Sequence, residues 1–315
     1  MFIQCAESLS EVPPRLEFPP IERLTVSSLN SGQPKPFLKW AGGKRAVLPE
    51  ILPRIPAFQG RFIEPFLGAG AVLFSIPAET KKIANDFNSE LIGVYKAVRD
   101  DLDRLVVELT KHKNTKEYFL KIRAMDRSPE FHKLDPVAKA ARFIYLNKTC
   151  FNGLYRVNAD GYFNVPFGNY ARPDIVASEN LLKVSDFLSH KISGKSGVRF
   201  MVGDFAKTTA LAKPGDFVYL DPPYDPASGT SSFVNYQQQG FTKLDQERLR
   251  DEMIRLTKEG VPVLLSNSDT SFIRGLYSDR KMFRIEKIQV RRTISASATS
   301  RGRVGEVLVS NKPGA

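Results

Sequence analysis

Asp221-Pro222-Pro223-Tyr224 follows directly on the apolar run 217–220, and this junction constrains the chain more than any other feature. A strand that runs into two prolines must stop there, because proline offers no N–H to a ladder and fixes φ near about −65°. The string arises by chance in about one chain in a thousand, given proline near 5% of residues. In open α/β sheets, ligands sit outside the carboxyl ends of the strands. The junction is therefore expected at the mouth of a mostly parallel sheet; a polyproline turn carrying a packing tyrosine is the plainer alternative.

The remaining pattern supplies such a sheet. Residues 61–66 form a short apolar run ending in a turn with Gly68 and Gly70, and residues 71–76 read as the helix after it. A second strand over 82–84 ends at Asn85-Asp86, before a helix with Leu102, Leu105, Val106 and Leu109 on one face. After residue 195 the rhythm returns. Strands are expected over 198–202, 217–220 and 261–265, with a helix capped by Thr242, carrying Leu249, Met253 and Leu256, and stopped at Gly260. Two last strands, 283–290 and 304–309, flank a polar loop as an antiparallel pair would. The expected fold is α/β: a Rossmann-like, mostly parallel sheet built from 36–95 and 196–315, with a mainly helical domain inserted over 96–195. Residues 1–35 hold five prolines and no sustained period, and read as an extended or disordered leader.

Composition narrows the function classes. Lys and Arg number 46 against 34 Asp and Glu, a net +12, which favours a polyanionic partner through counterion release; an inert basic surface is the alternative. No apolar run reaches the roughly 18 residues needed to span a bilayer, so a cytoplasmic protein without a membrane partner is expected. The two cysteines, Cys5 and Cys150, sit in no cluster with metal-ligand spacing, and no metal is expected. Ala41-Gly42-Gly43-Lys44-Arg45 lacks both the spacing and the Ser or Thr of a P-loop, which argues against ATP-driven work.

The junction suits one chemistry. An aromatic amine is a poor nucleophile because its lone pair is delocalised into the ring. The Asp221 carboxylate and the Pro222 carbonyl, held still by Pro223, can both accept its N–H bonds and turn the lone pair toward an electrophile. Tyr224 offers a flat face for a base taken out of its stack.

Other residues carry two readings each. Glu64-Pro65-Phe66-Leu67-Gly68-Ala69-Gly70 is a close-approach turn of nucleotide-binding type, though it is not a G-x-G-x-x-G. Asp86 stands where an acid binds ribose hydroxyls, or is a solvated strand-end carboxylate. Trp40 and Phe66 face a cation through their rings, or are core. In 152–170, Asp160-Gly161 marks a hairpin turn; a two-stranded ribbon fits the major groove, where Arg156 could bond a guanine, and an ordinary surface hairpin is the alternative. The loop 225–240, rich in Ser, Gly and Gln, is a flap or a connector.

Taken in order, FLKWAGGK (37–44), EPFLGAGAV (64–72), NDFNSEL (85–91), NGLYRVNADGYFNVPFG (152–168) and DPPY resemble the Dam-type DNA adenine methyltransferases of the alpha group over about residues 36–315. The resemblance implies S-adenosyl-L-methionine as cofactor, double-stranded DNA as partner, a monomer in solution, and transfer of a methyl group to N6 of a flipped adenine within GATC. It places Trp40, Lys44, Asp86 and Asp221 at the cofactor, with Glu64, Pro65, Phe66, Gly68 and Gly70 at its methionine end and Asp204 and Phe205 by its adenine. Asp221, Pro222, Pro223 and Tyr224 are the implied catalytic set. Lys39 and Arg156 match base-reading positions, and Asn158 is a further candidate beside the turn. Leu154 and Pro166 match apolar contacts to a thymine methyl, and Phe151 and Asn152 the entry beside the flipped base. The chain departs from the family pattern at Phe151, where tyrosine is common, at Lys148-Thr149-Cys150, and at Asn169, where a basic residue is frequent.

Alternatives are another planar amine (cytosine N4, an RNA adenine, a glutamine amide) or a catalytically silent DNA-binding module. Cytosine C5 chemistry is disfavoured, since it needs a cysteine nucleophile and neither cysteine follows a proline.

Overall fold

The computed structural model describes residues 32–226, 240–290 and 304–314. The leader expected over 1–35 lies outside the described residues as far as position 31, and so does most of the loop 225–240. Among the described residues one sheet holds β1 (Phe62–Glu64), β2 (Lys82–Asp86), β3 (Val198–Val202), β4 (Phe217–Leu220), β5 (Val263–Ser268), β6 (Phe283–Val290) and β7 (Val304–Asn311). Their order is β3-β2-β1-β4-β5-β7-β6. The first five are parallel, and β7 lies antiparallel between β5 and β6. The chain grows outward from β1 to β3, then returns to lay β4 beside β1. That reversal opens a crevice at the carboxyl ends of β1 and β4.

Alternation along the strands feeds two cores. Phe62, Phe217, Tyr219, Leu264 and Leu308 face one side, while Ile63, Val218, Leu220, Val263, Leu265, Val307 and Val309 face the other. A sheet covered on both faces needs this near-continuous apolar sequence. The first face is packed by α1 (Ser89–Asp100), α2 (Leu102–Thr110), α4 (Pro136–Thr149) and α5 (Ser178–Ser189), with α3 (Lys116–Ala124) lying against α4. The second is covered by α6 (Phe205–Thr209), α7 (Lys243–Lys258) and α8 (Ser271–Leu276). Helix α7 starts at a capping box between Thr242 and Asp245 and turns Leu249, Met253 and Leu256 fully inward. Each such side chain contributes about 1.5–3 kcal/mol by leaving water.

Three local expectations are corrected. Residues 71–76 hold only a 3-10 turn, Leu73–Ser75, bounded by the left-handed Gly70 and by Ile76, which turns extended ahead of Pro77. The strand expected from 261 begins at Val263, after a close at Gly260 and Pro262. The hairpin is not a regular ribbon. Its arms meet at the isolated bridges Cys150↔Phe167 and Val157↔Phe163 and in a few bonds such as Asn164 N–H to the Arg156 carbonyl (3.1 Å). It packs instead on a small aromatic cluster of its own, with Phe119, Tyr145, Phe163 and Val165.

Candidate active site

The crevice is a cleft lined by Trp40–Lys44, Glu64, Leu67–Val72 and Asp221. Glu64 arrives there as the last residue of β1, and Asp221 as the first residue after β4. Lys44 is buried at 5% exposure, its Nζ 2.8 Å from Asp221 Oδ1 and donating to the Gly42 carbonyl at 2.6 Å. The same ammonium lies 4.6 Å from the centre of the Tyr224 ring. Glu64 is 2% exposed, and its Oε2 has no hydrogen-bond partner among the described residues. Burial first, and the charge of Asp221 next, push the Glu64 carboxyl well above the usual carboxylate range.

The glycine turn is pinned from both sides. The Gly68 N–H donates to Asp86 Oδ2 at 3.0 Å, and the Tyr95 hydroxyl donates to the Gly68 carbonyl at 3.0 Å. Gly68 has φ +49°, and a Cβ there would stand 2.9 Å from Trp40 Cδ1, so only glycine lets the indole close over the turn. Asp86 also accepts from the Asn88 N–H at 2.9 Å. Burial raises its pKa, and these backbone bonds oppose the rise.

Asn85 went unrecognised beside its acidic neighbour. Its Nδ2 donates to the Pro65 and Gly203 carbonyls, both at 2.9 Å, and so ties together the loops after β1 and β3. Past that tie, Phe66 and Phe205 face each other at 5.5 Å, with Phe241 completing the group at 5.7 and 5.9 Å. Asp204 caps α6 through the Ala206 N–H and pairs with Arg248 at 3.0 Å. Trp40 is both core and cleft wall: it lines the cleft and stacks on Tyr155 (5.6 Å) and Phe143 (6.2 Å).

The motif loop is clamped by residues the sequence did not flag. Gln246 Nε2 donates to the Pro223 carbonyl at 2.8 Å, and Asn267 Nδ2 donates to Gln246 Oε1 at 3.0 Å. Asn267 Oδ1 accepts from the Asp225 N–H at 3.1 Å, and Ser268 Oγ donates to the Asp225 carbonyl. The Tyr224 hydroxyl donates to Glu306 Oε2 at 3.0 Å. The usable signal for Glu306 was an acid at a position of β7 whose alternation partner, Leu308, is core.

On the hairpin, Arg156 does not stand alone. Its Nε donates to Asn164 Oδ1 at 2.5 Å and its Nη2 to the Asn164 carbonyl at 3.3 Å. Asn158 closes the turn, accepting from the Asp160 and Tyr162 N–H groups at 3.2 and 2.9 Å. Lys39 is exposed, with Nζ 4.4 Å from the Tyr170 ring centre. Phe151 is 47% exposed and Asn152 is left-handed at φ 54°. Pro166 is exposed, Leu154 half-buried. Asn147 joins this hairpin to the cleft wall, bonding the Lys39 N–H (2.9 Å) and the Lys39 and Gly153 carbonyls (2.7 and 3.0 Å).

The donor set suits a cationic ligand. The acids Glu64 and Asp221 line the cleft beside Lys44, with a buried oxygen of Glu64 that has no partner among the described residues, and Asp86 holds the Gly68 N–H of its wall. Among the described residues no three His, Cys, Asp or Glu side chains are grouped to hold a metal ion, and no helix is long and apolar enough to cross a membrane.

A pH dependence follows. Burial pushes the Asp221 carboxyl up to about 6, against the pull of Lys44. If the carboxylate is the working form, activity is full above that value and lost as pH falls through it. The logarithm of kcat/KM should rise with unit slope below about pH 6 and level off above it. Lys44→Met should move the midpoint higher, since Lys44 favours the ionised form. A midpoint in the ordinary range near 4 would separate Asp221 from the chemistry.

Comparison with known proteins identifies the family. The profile of the D12 class N6 adenine-specific DNA methyltransferases matches residues 40–294. A type II methyltransferase of Lactococcus lactis subsp. cremoris is 44% identical over 279 residues, covering 88% of this chain and 95% of the relative. A type II methyltransferase of Methanocaldococcus jannaschii is 40% identical over 296 residues, covering 88% and 99%. The DNA adenine methylase of Escherichia coli is 35% identical over 283 residues, covering 88% and 95%.

Proposed function

The chain belongs to the D12 class of N6 adenine-specific DNA methyltransferases, and we propose that it takes S-adenosyl-L-methionine in the cleft and methylates an adenine flipped out of duplex DNA within GATC. Family membership decides for adenine N6 over cytosine N4, an RNA adenine or a silent binding module. The observation that carries the rest is one cleft holding the Glu64–Gly70 turn and the Asp221 motif together.

S-adenosyl-L-methionine supplies a methyl group on a sulfonium, an electrophile that needs no further activation. The unpartnered oxygen of Glu64 and the ring of Trp40 would face such a cation, and the Gly68–Gly70 turn would let the backbone approach it. On the other side, Asp221 and the Pro222 carbonyl accept the two N–H bonds of the amine. Among the described residues no hydrogen bond occupies that carbonyl, while the next one, of Pro223, is held by Gln246. These two acceptors would hold the nitrogen pyramidal with its lone pair freed from the ring, and Asp221 could accept the proton shed once the methyl group has passed from sulfur to nitrogen and left a neutral thioether. Tyr224 supplies the face on which the base lies. Asp204, Phe205 and Asp86 are assigned to the nucleoside portion of the cofactor, with Trp40, Lys44, Glu64 and Phe66 toward its amino-acid end.

Residues 96–195 are assigned to target recognition, with catalysis on 36–95 and 196–315. Lys39 and Arg156 read base edges, Leu154 and Pro166 meet a thymine methyl, and Phe151 and Asn152 enter beside the flipped base. Asn158, spent on its own turn, is the weakest of the readers. The net +12 supports contact with phosphates. A cytoplasmic monomer that can act as the modification partner of a nuclease completes the reading.

Plasmid from cells expressing the protein should resist a nuclease that cuts only unmethylated GATC; full cleavage, with methylation found elsewhere, would remove the site assignment. Arg156→Ala sharpens this. A bidentate arginine–guanine contact discriminates by about 1–3 kcal/mol, roughly 5- to 150-fold. The mutant should therefore lose preference for GATC over duplexes altered at one base pair. Equal loss on every sequence would make Arg156 a phosphate anchor.

A further inference from the structure

The Tyr224 side chain is held from a strand that takes no part in the motif. Glu306 lies on β7, opposite Ser268 of β5 in antiparallel register, so the sheet delivers it beneath the end of the motif loop. It is 6% exposed, and no cation pairs with it among the described residues. A buried carboxylate is costly unless it is paired or hydrogen-bonded, and among the described residues the donor it receives is the Tyr224 hydroxyl at 3.0 Å. The ring is further fixed by Lys44 Nζ at 4.6 Å from its centre. Its flanking peptides are held through the Pro223 carbonyl by Gln246 and through the Asp225 N–H by Asn267. Backbone, ring face and hydroxyl are thus each gripped by a different element.

We propose that Glu306 is a positioning residue of the reaction: its carboxylate anchors the Tyr224 hydroxyl and so sets the plane against which the target adenine stacks. Two acceptors at Asp221 and Pro222 can meet both N–H bonds only if the base lies in one plane. A ring free to swing would leave the amine near them without alignment, and a misplacement of about 1 Å can cost on the order of 100-fold in rate. The inference rests on the reading of Tyr224 as the base platform.

The test measures kcat, cofactor KM and the emission of 2-aminopurine at the target adenine, for Glu306→Ala, Glu306→Gln, Tyr224→Phe, Tyr224→Ala and the double variant Glu306→Ala with Tyr224→Phe. Glu306→Ala should lower kcat by ~10- to 100-fold, with cofactor KM within about twofold of wild type and altered emission from the flipped base. Glu306→Gln, whose amide oxygen still accepts, should recover most of that loss. Tyr224→Phe should lose as much as Glu306→Ala, and the double variant no more than either. Losses that multiply in the double variant, or a Glu306→Ala enzyme as fast as wild type, overturn the proposal. Should Glu306→Ala fail to fold, Tyr224→Phe decides: full turnover overturns the proposal, and a comparable loss supports it. A fully active Tyr224→Ala would instead remove the platform reading itself.

Discussion

Asp221→Ala should lower methyl transfer by at least 100-fold while DNA binding stays within about threefold of wild type. Loss of one preorganised partner of the reacting group costs about 2.7–4 kcal/mol in comparable sites, and here the partner is also the proton acceptor. The substitution has a second consequence. Lys44 is buried and pairs with Asp221 at 2.8 Å, so the mutant keeps an ammonium in the cleft whose remaining contacts among the described residues are the Gly42 carbonyl and the Tyr224 ring. Breaking a buried pair from one side costs about 3–5 kcal/mol of stability, whereas replacing both partners is often near neutral. Asp221→Ala should therefore lower Tm, and Asp221→Ala with Lys44→Met should regain Tm without regaining activity. Thermal melts beside turnover separate the two roles. Turnover above about a tenth of wild type, a loss under about 1.4 kcal/mol, would end the assignment of Asp221 as an acceptor of the amine.

Gly68→Val should weaken binding of S-adenosylhomocysteine by more than about 30-fold, as measured by calorimetry. At φ +49° a β-branched side chain is strained by about 1–3 kcal/mol, and its Cβ would begin 2.9 Å from Trp40 Cδ1. The turn cannot relax without breaking the bonds to Asp86 and Tyr95 that hold it. Either the indole leaves the cleft wall or the turn deforms, and both spoil the pocket. Gly93→Ala is the internal comparison. That glycine lies inside α1, a Cβ there meets nothing within 4 Å, and alanine should leave binding unchanged and add roughly 0.5–1 kcal/mol of stability. Binding by Gly68→Val within threefold of wild type would place the cofactor away from this turn.

What the sequence determined by itself was local and chemical. The apolar runs 61–66, 82–84 and 217–220 located three strands, because two-sided burial demands such runs, and the structure draws them as Phe62–Glu64, Lys82–Asp86 and Phe217–Leu220. Thr242 and Asp245 set the start of α7 through bonds within one turn, which any chain with those residues can make. The motif was legible as a contiguous string because its prolines fix the backbone between Asp221 and Tyr224, whereas the hold on the Tyr224 side chain was not. Only the tertiary structure decided the rest. Nothing local brings Glu306 to Tyr224, 82 residues away, or Asn267 to Asp225, 42 away; the antiparallel seat of β7 and the β4–β5 pairing do so. Asn85 looked like a companion of Asp86, yet its bonds run to the Pro65 and Gly203 carbonyls, which the sheet order alone makes neighbours. The stretch 71–76 was apolar enough for a helix, but the chain is left-handed at Gly70 and extended at Ile76 ahead of Pro77, leaving a single 3-10 turn whose residues are all buried. A side chain's chemistry is carried by its own atoms and is visible in the sequence. Its partner is chosen by packing across the sheet, where contacts far apart in the chain outweigh local preference.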